Sequence, residues 1–167
     1  MSQCHHLVPL PVVPGIRVFV VDDEALIALD LRERLIALGY EVCGTAVSGE
    51  AAVQRIAELQ PDIVLMDIKL AGSTDGIEAA QQLREYCDVP VVFLTAYSDS
   101  QLIDRATKAN CYGYLLKPLK EGQLHATLKL ALARFRARRS LCSGWGAWTS
   151  DDCCTGCPSP GWTDVLS

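Results

Sequence analysis

Five polar side chains stand where short apolar runs stop. Val18-Phe19-Val20-Val21 runs into Asp22 and Asp23, and Ile63-Val64-Leu65-Met66 into Asp67. Val91-Val92-Phe93-Leu94 runs into Thr95, and Tyr112-Gly113-Tyr114-Leu115-Leu116 into Lys117. Runs this short suit buried strands rather than helices. An unpaired carboxylate is costly to bury, so each group belongs at the open end of a sheet. Three carboxylates repel one another unless a hard cation joins them. Mg²⁺ takes six oxygens and commonly accepts one or two carboxylates plus waters. A carboxylate so neutralised can attack a phosphoryl group and form an acyl phosphate. Charge in that transition state spreads over equatorial oxygens, so the protein mainly positions and neutralises. The cation, the Lys117 ammonium and the Thr95 hydroxyl could each take one oxygen. Alone, an Asp after a strand is usually a turn former, a Thr a strand residue and a Lys a solvated charge. Their recurrence at four strand ends of one pattern is what raises them to a site.

The elements that must position them alternate. Strands are expected at 16–21 (β1), 40–47 (β2), 62–66 (β3), 89–94 (β4) and 112–116 (β5). Helices are expected at 24–38 (α1), 48–59 (α2), 76–86 (α3), 98–109 (α4) and 121–139 (α5). Leu31, Leu35 and Leu38 share one face of α1, and Leu124, Leu128, Ala131, Leu132 and Phe135 fall at helical spacing on α5. Gly39 is a C-terminal stop and Ser48 an N-terminal cap. Such alternation implies an α/β fold, a doubly wound parallel sheet with helices on both faces. Right-handed crossovers leave few topologies. The flavodoxin-like order 2-1-3-4-5 places its switch point between β1 and β3, where Asp22, Asp23 and Asp67 would meet.

Half of the 167 residues are apolar, enough for a full core, and the net charge of −5 gives no bulk attraction to nucleic acid. All 15 Lys and Arg lie between Arg17 and Arg139, where 17 acids leave a balance of −2. Cys43, Cys87 and Cys111 fall in apolar or helical segments and read as small hydrophobes, which points to a reducing, cytoplasmic compartment. No apolar run approaches the roughly 20 residues of a membrane span. Residues 1–15 read as a disordered leader, because Pro9, Pro11 and Pro14 interrupt their apolar stretch and no Lys or Arg precedes it. Residues 140–167 show no period and read as a disordered tail.

The motifs Val-Val-Asp-Asp-Glu, Val-Leu-Met-Asp-Ile, Leu-Thr-Ala and Gly-Tyr-Leu-Leu-Lys-Pro, in that order, resemble the receiver domain of two-component response regulators over residues 16–139. The resemblance implies that Asp67 accepts phosphate from the phosphohistidine of a histidine kinase. It implies Mg²⁺ held by Asp23 and Asp67, by Asp22 through water and by the backbone carbonyl of Lys69. Lys117 is implied as the phosphate partner, Thr95 and Tyr114 as a switch pair, and the bond before Pro118 as cis. The implied protein is a self-phosphorylating switch, not an enzyme acting on a separate metabolite. It would signal by protein contact through an α4–β5–α5 face carrying Leu102, Tyr112 and Tyr114, to a partner or a second copy. Lys69 and Tyr97 would flank the attacking water; neither offers a carboxylate or amide to orient it and Tyr97 adds bulk, so a comparatively long-lived phosphoform is expected, with a Lys69 donor pulling the other way.

Rival readings are weaker. An aspartyl-nucleophile phosphatase of the haloacid-dehalogenase kind wants an Asp where Lys69 stands. A flavodoxin-like nucleotide-binding module wants a Gly-rich or Ser/Thr-rich loop after β1, where Asp-Asp-Glu repels phosphate. Cys154 and Cys157 with Cys142 or Cys153 could hold Zn²⁺, but a single CxxC is a weak signal. Arg134, Arg136, Arg138 and Arg139 are expected to face solvent and complement the helix dipole rather than read nucleic acid. The 28 residues after Arg139 are too few for a DNA-binding output domain with its own core.

Overall fold

The strands are built from residues that fit a surface buried on both sides. β1 (Arg17–Val21), β3 (Ile63–Asp67) and β4 (Val91–Ala96) are dominated by Val, Ile, Leu and Phe, and all five residues of β3 are buried. With β2 (Glu41–Ala46) and β5 (Gly113–Lys117) they form one parallel sheet in the order β2-β1-β3-β4-β5 in this computed structural model. It describes residues 15–96, 105 and 111–143. The leader, most of the expected α4 with Leu102, Tyr97, and the Cys- and Trp-containing tail past 143 lie outside the described residues.

Side chains of a strand alternate between faces, and that alternation divides the core in two. Val18, Val20, Ile63, Leu65, Val92, Leu94 and Leu115 pack under α1 (Ala25–Ala37) and α5 (Glu121–Ser143). Phe19, Val21, Val64, Met66, Val91 and Phe93 pack under α2 (Gly49–Leu59) and α3 (Gly76–Tyr86). α1 contributes Ala28, Leu31 and Leu35, and α5 contributes Leu124, Leu128, Ala131 and Leu132. Cys43, Cys87 and Cys111 are unpaired and half-buried against the second core, as small hydrophobes.

Local signals end the elements. Tyr40 N–H returns to the Leu35 carbonyl across Gly39, which has φ +87°. The Ser48 hydroxyl accepts from Ala51 N–H at 3.3 Å and starts α2. Several boundaries differ from expectation. β3 takes in Asp67, because that residue still pairs with Leu94. β4 starts at Val91, after Pro90, and continues to Ala96, which pairs with Lys117. β5 accordingly runs Gly113–Lys117. α5 runs to Ser143, four residues past the expected end, since no Gly or Pro interrupts 140–143. Arg138 is not simply solvated: it pairs with Asp88 and lies 5.8 Å over the Tyr112 ring and 5.6 Å over the Phe135 ring.

The core and the surface should respond differently to truncation. Phe93→Ala removes a fully buried ring and is expected to cost about 3–5 kcal/mol. Leu26→Ala, at a side chain 81% exposed, is expected to change stability by less than about 0.5 kcal/mol. Urea unfolding of both variants checks this, with an unchanged slope and a shifted midpoint only for Phe93→Ala.

Candidate functional site

Four of the five strand-end groups converge. β1 lies beside β3, so Asp22 and Asp23, which follow β1, stand next to Asp67, the last residue of β3. Lys117 ends β5, two strands away across β4. Its long stem carries the ammonium back over the end of β4, where it donates to Asp67 Oδ2 at 2.6 Å and Asp22 Oδ2 at 2.8 Å. The Lys117–Pro118 peptide is cis.

The remaining carboxylate oxygens are held by backbone. Asp22 Oδ1 accepts from the Glu24 N–H at 3.0 Å, a local turn that leads into α1. Asp67 Oδ1 accepts from the Lys69 N–H at 3.0 Å. Asp22 is fully buried and Asp67 nearly so, whereas Asp23 is exposed. Burial pushes the Asp67 carboxyl above its ordinary range, against the pull of the Lys117 ammonium and the Lys69 amide. Burial works to lower Lys117, but hydrogen bonds and charge from Asp22 and Asp67 outweigh it and hold the ammonium above its usual value.

One oxygen from each of Asp22, Asp23 and Asp67 lies within 4.8 Å of the others. Three carboxylates against one ammonium leave a surplus of two negative charges. Hard oxygen donors with that surplus fit a divalent cation such as Mg²⁺. Thr95 is buried at the neighbouring strand end, and its hydroxyl donates to the Ala96 carbonyl at 3.2 Å. Tyr114 pairs in register with Phe93 and is half-exposed. Tyr97, expected beside the attacking water, lies outside the described residues.

Three supports were not anticipated. Gly76 packs on the backbone of Asp67: a Cβ there would fall 1.9 Å from the Asp67 carbonyl oxygen, and the Gly76 N–H donates to Ile68 O at 3.0 Å. Only glycine fits so close an approach. Asp75 and Glu78 form a reciprocal capping box at the start of α3. The Asp-x-x-Glu spacing before α3 was a readable signal for it. Glu50, on the first turn of α2, accepts from the Ser73 hydroxyl at 2.7 Å. That bond, with α2 backbone and Thr74 donors, pulls its carboxyl down to about 2. The loop between Asp67 and α3 is thereby tied to α2.

Comparison with known proteins points one way. A family model described as "Response regulator receiver domain" matches residues 18–129. The chain is 44% identical over 126 residues to the transcriptional regulatory protein PdtaR of Mycobacterium tuberculosis, covering 75% of this chain and 60% of PdtaR. It is 34% identical over 118 residues to the transcriptional regulatory protein YdfI of Bacillus subtilis, covering 70% and 54%. It thus spans little more than half the length of these relatives. Among solved structures, the signal receiver domain of a modulated diguanylate cyclase from Desulfovibrio desulfuricans is 39% identical with a TM-score of 0.69, over 72% of this chain and 96% of that one. The N-terminal domain of a response regulator/sensory box/GGDEF protein from Carboxydothermus hydrogenoformans is 31% identical with a TM-score of 0.68, over 74% and 98%. Among the described residues, no helix is long and apolar enough to cross a membrane.

The raised Asp67 pKa sets a pH dependence. A free carboxyl titrates near 3.9. Below that value both folded and unfolded forms are protonated, and burial of Asp67 costs no charge. As pH rises through the higher folded value, that advantage is lost, because the buried group must ionise. Asp67→Asn should therefore melt higher than the unsubstituted chain at pH 7 in chelator, with the gap closing as pH falls toward 4. Thermal unfolding across that range checks it; equal melting at every pH would contradict the burial argument.

Proposed function

The chain belongs to the response regulator receiver domain family, and from that premise we propose that Asp67 is the phosphoacceptor of a two-component relay. The observation that carries this is the Lys117 ammonium, drawn from the far side of the sheet to bond Asp22 and Asp67 together. Asp67 Oδ attacks the phosphorus of a phosphohistidine on a sensor kinase or phosphotransfer protein; the P–N bond breaks and the imidazole leaves. Asp22, Asp23 and Asp67, with the Lys69 backbone carbonyl, are the residues that would hold Mg²⁺. The chemistry it would supply there is neutralisation of charge on the carboxylates and on the incoming phosphoryl group. Lys117 exchanges its Asp67 contact for a phosphoryl oxygen while keeping Asp22. The Lys69 N–H orients the acceptor through Asp67 Oδ1.

The same site supports a switch. The Thr95 hydroxyl, now on its neighbour's carbonyl, turns to the new phosphoryl oxygen, and Tyr114 follows inward from its exposed position. The altered surface around β5 and α5 then meets a protein partner or a second copy of the chain. This is a cytoplasmic regulatory role rather than turnover of a metabolite.

Acetyl phosphate with Mg²⁺ should label the protein with one base-labile phosphate. Chelator or Asp67→Asn should abolish the label; label persisting in Asp67→Asn would overturn the assignment. Thr95→Ala should still take phosphate yet fail to change amide exchange in β5 and α5. A hydrogen bond to a charged oxygen is worth about 1.5–3 kcal/mol, enough to move a two-state surface roughly tenfold or more. Normal switching in Thr95→Ala would refute the coupling.

A further inference from the structure

Glu50 stands outside the carboxylate cluster and yet holds the loop that leaves it. Its carboxylate accepts from the Ser73 hydroxyl at 2.7 Å, and the Thr74 and Ser48 side chains also donate to it. Gly49, the residue before it, lies so near the loop that a Cβ there would fall 3.1 Å from the Thr74 carbonyl oxygen. Gly72 turns the chain beside the carboxylate at φ +136°, and a Cβ there would lie 3.6 Å from Glu50 Oε2. The first turn of α2 and residues 72–74 therefore form one contact.

The same loop begins and ends beside Asp67. The Lys69 N–H donates to Asp67 Oδ1 at 3.0 Å, and the Gly76 N–H donates to Ile68 O at 3.0 Å. Leu70 leans on the second core, whereas Ala71, Gly72 and Ser73 are exposed. Backbone bonds thus fix the two ends, and Glu50 fixes the exposed middle. The chain from Lys69 to Ser73 is short, so holding Ser73 leaves Lys69 little slack. We propose that Glu50 is a positioning residue for the cation of this site. By holding Ser73 and Thr74 it fixes the Lys69 backbone, whose N–H orients Asp67 and whose carbonyl is assigned above to Mg²⁺. The inference rests on that assignment. Glu50 is not one of the three clustered carboxylates, so it acts through the loop. Its donors hold the carboxyl down at about 2, so the contact persists across the neutral range.

Mg²⁺ titration of the full chain, followed by the amide resonances of Asp67 and Lys69, tests this. Glu50→Ala should weaken Mg²⁺ binding roughly 3- to 10-fold, less than the about 10- to 100-fold typical when a direct partner of a metal ligand is lost. Glu50→Gln keeps a side-chain oxygen for the hydroxyls and should retain most of the affinity. Ser73→Ala changes no charge and should lose part of it. The double variant of Glu50→Ala and Ser73→Ala should lose no more than Glu50→Ala alone, because both cut one contact. In chelator, amide exchange at residues 70–74 should quicken in Glu50→Ala while β3 and α3 keep their protection, which general loss of fold would not give. Unchanged Mg²⁺ affinity in Glu50→Ala overturns the positioning role. Equal weakening in Glu50→Gln with none in Ser73→Ala overturns it too, since that is the pattern of a lost charge acting at a distance. An unsubstituted chain whose Asp67 and Lys69 resonances do not move with Mg²⁺ overturns the site assignment instead, and the positioning role with it.

Discussion

Asp22 is a carboxylate with no exposure to water, and much of the structure follows from how its charge is met. An ionised group in that position is tolerable only when paired and hydrogen-bonded. One oxygen takes a local amide; the other takes an ammonium that is 95 residues away in sequence. For Lys117 to arrive there, β5 must lie parallel to β1 and β3, in register, with only β4 between β5 and β3. The same ammonium must also serve Asp67, so the two carboxylates are drawn together by a shared cation. Removing the shared ammonium would leave two buried carboxylates without their cation, a loss of about 3–5 kcal/mol, whereas Lys117 keeps Asp22 when Asp67 is neutralised. The sheet order and the site's electrostatics are therefore one constraint seen from two ends.

Around that constraint the molecule divides into fixed and movable parts. Asp22, Asp67 and the loop leading to α3 are held by backbone amides, by the capping box and by the contact of Gly76 on Asp67. Glu50 and Ser73 fasten the same loop to α2. Such fixing suits the acceptor role proposed for Asp67, because in phosphoryl transfer the protein contributes mainly position and charge. Thr95 differs in kind. Its hydroxyl is satisfied by an adjacent carbonyl, a partner it can leave at small cost once a charged oxygen appears nearby. That contrast between a fixed carboxylate and a loosely held hydroxyl is the physical basis of the switch proposed above.

The basic end of α5 illustrates how context changes the meaning of a charge run. As a sequence it suggests a solvated cationic face. In the fold, Arg138 is committed to Asp88 and to the rings of Tyr112 and Phe135, which already meet edge-on with centroids 5.5 Å apart. Part of that charge fastens α5 to the β4 and β5 entries rather than offering itself to a ligand. The chain spans 60% of PdtaR.

What the sequence determined by itself is what depends on neighbours in the chain. The apolar runs and their period fixed strands and helices, Gly39 and Ser48 marked ends, and Asp22, Asp23, Asp67, Thr95 and Lys117 declared themselves by standing at strand ends. Even the strand order was legible, because short right-handed crossovers leave so few alternatives. Boundaries were less so: Asp67, Ala96 and Lys117 belong to strands only because residues on the adjacent strand hydrogen-bond to them. The tertiary structure alone decided that Lys117 bridges Asp22 and Asp67, that Asp75 reaches Arg105 as well as its own helix, and that nothing larger than a hydrogen fits between Gly76 and the Asp67 backbone. These are contacts between groups far apart in the chain or closer than any side chain allows. Their energies depend on distances of a few ångströms, which no local pattern of residue types encodes.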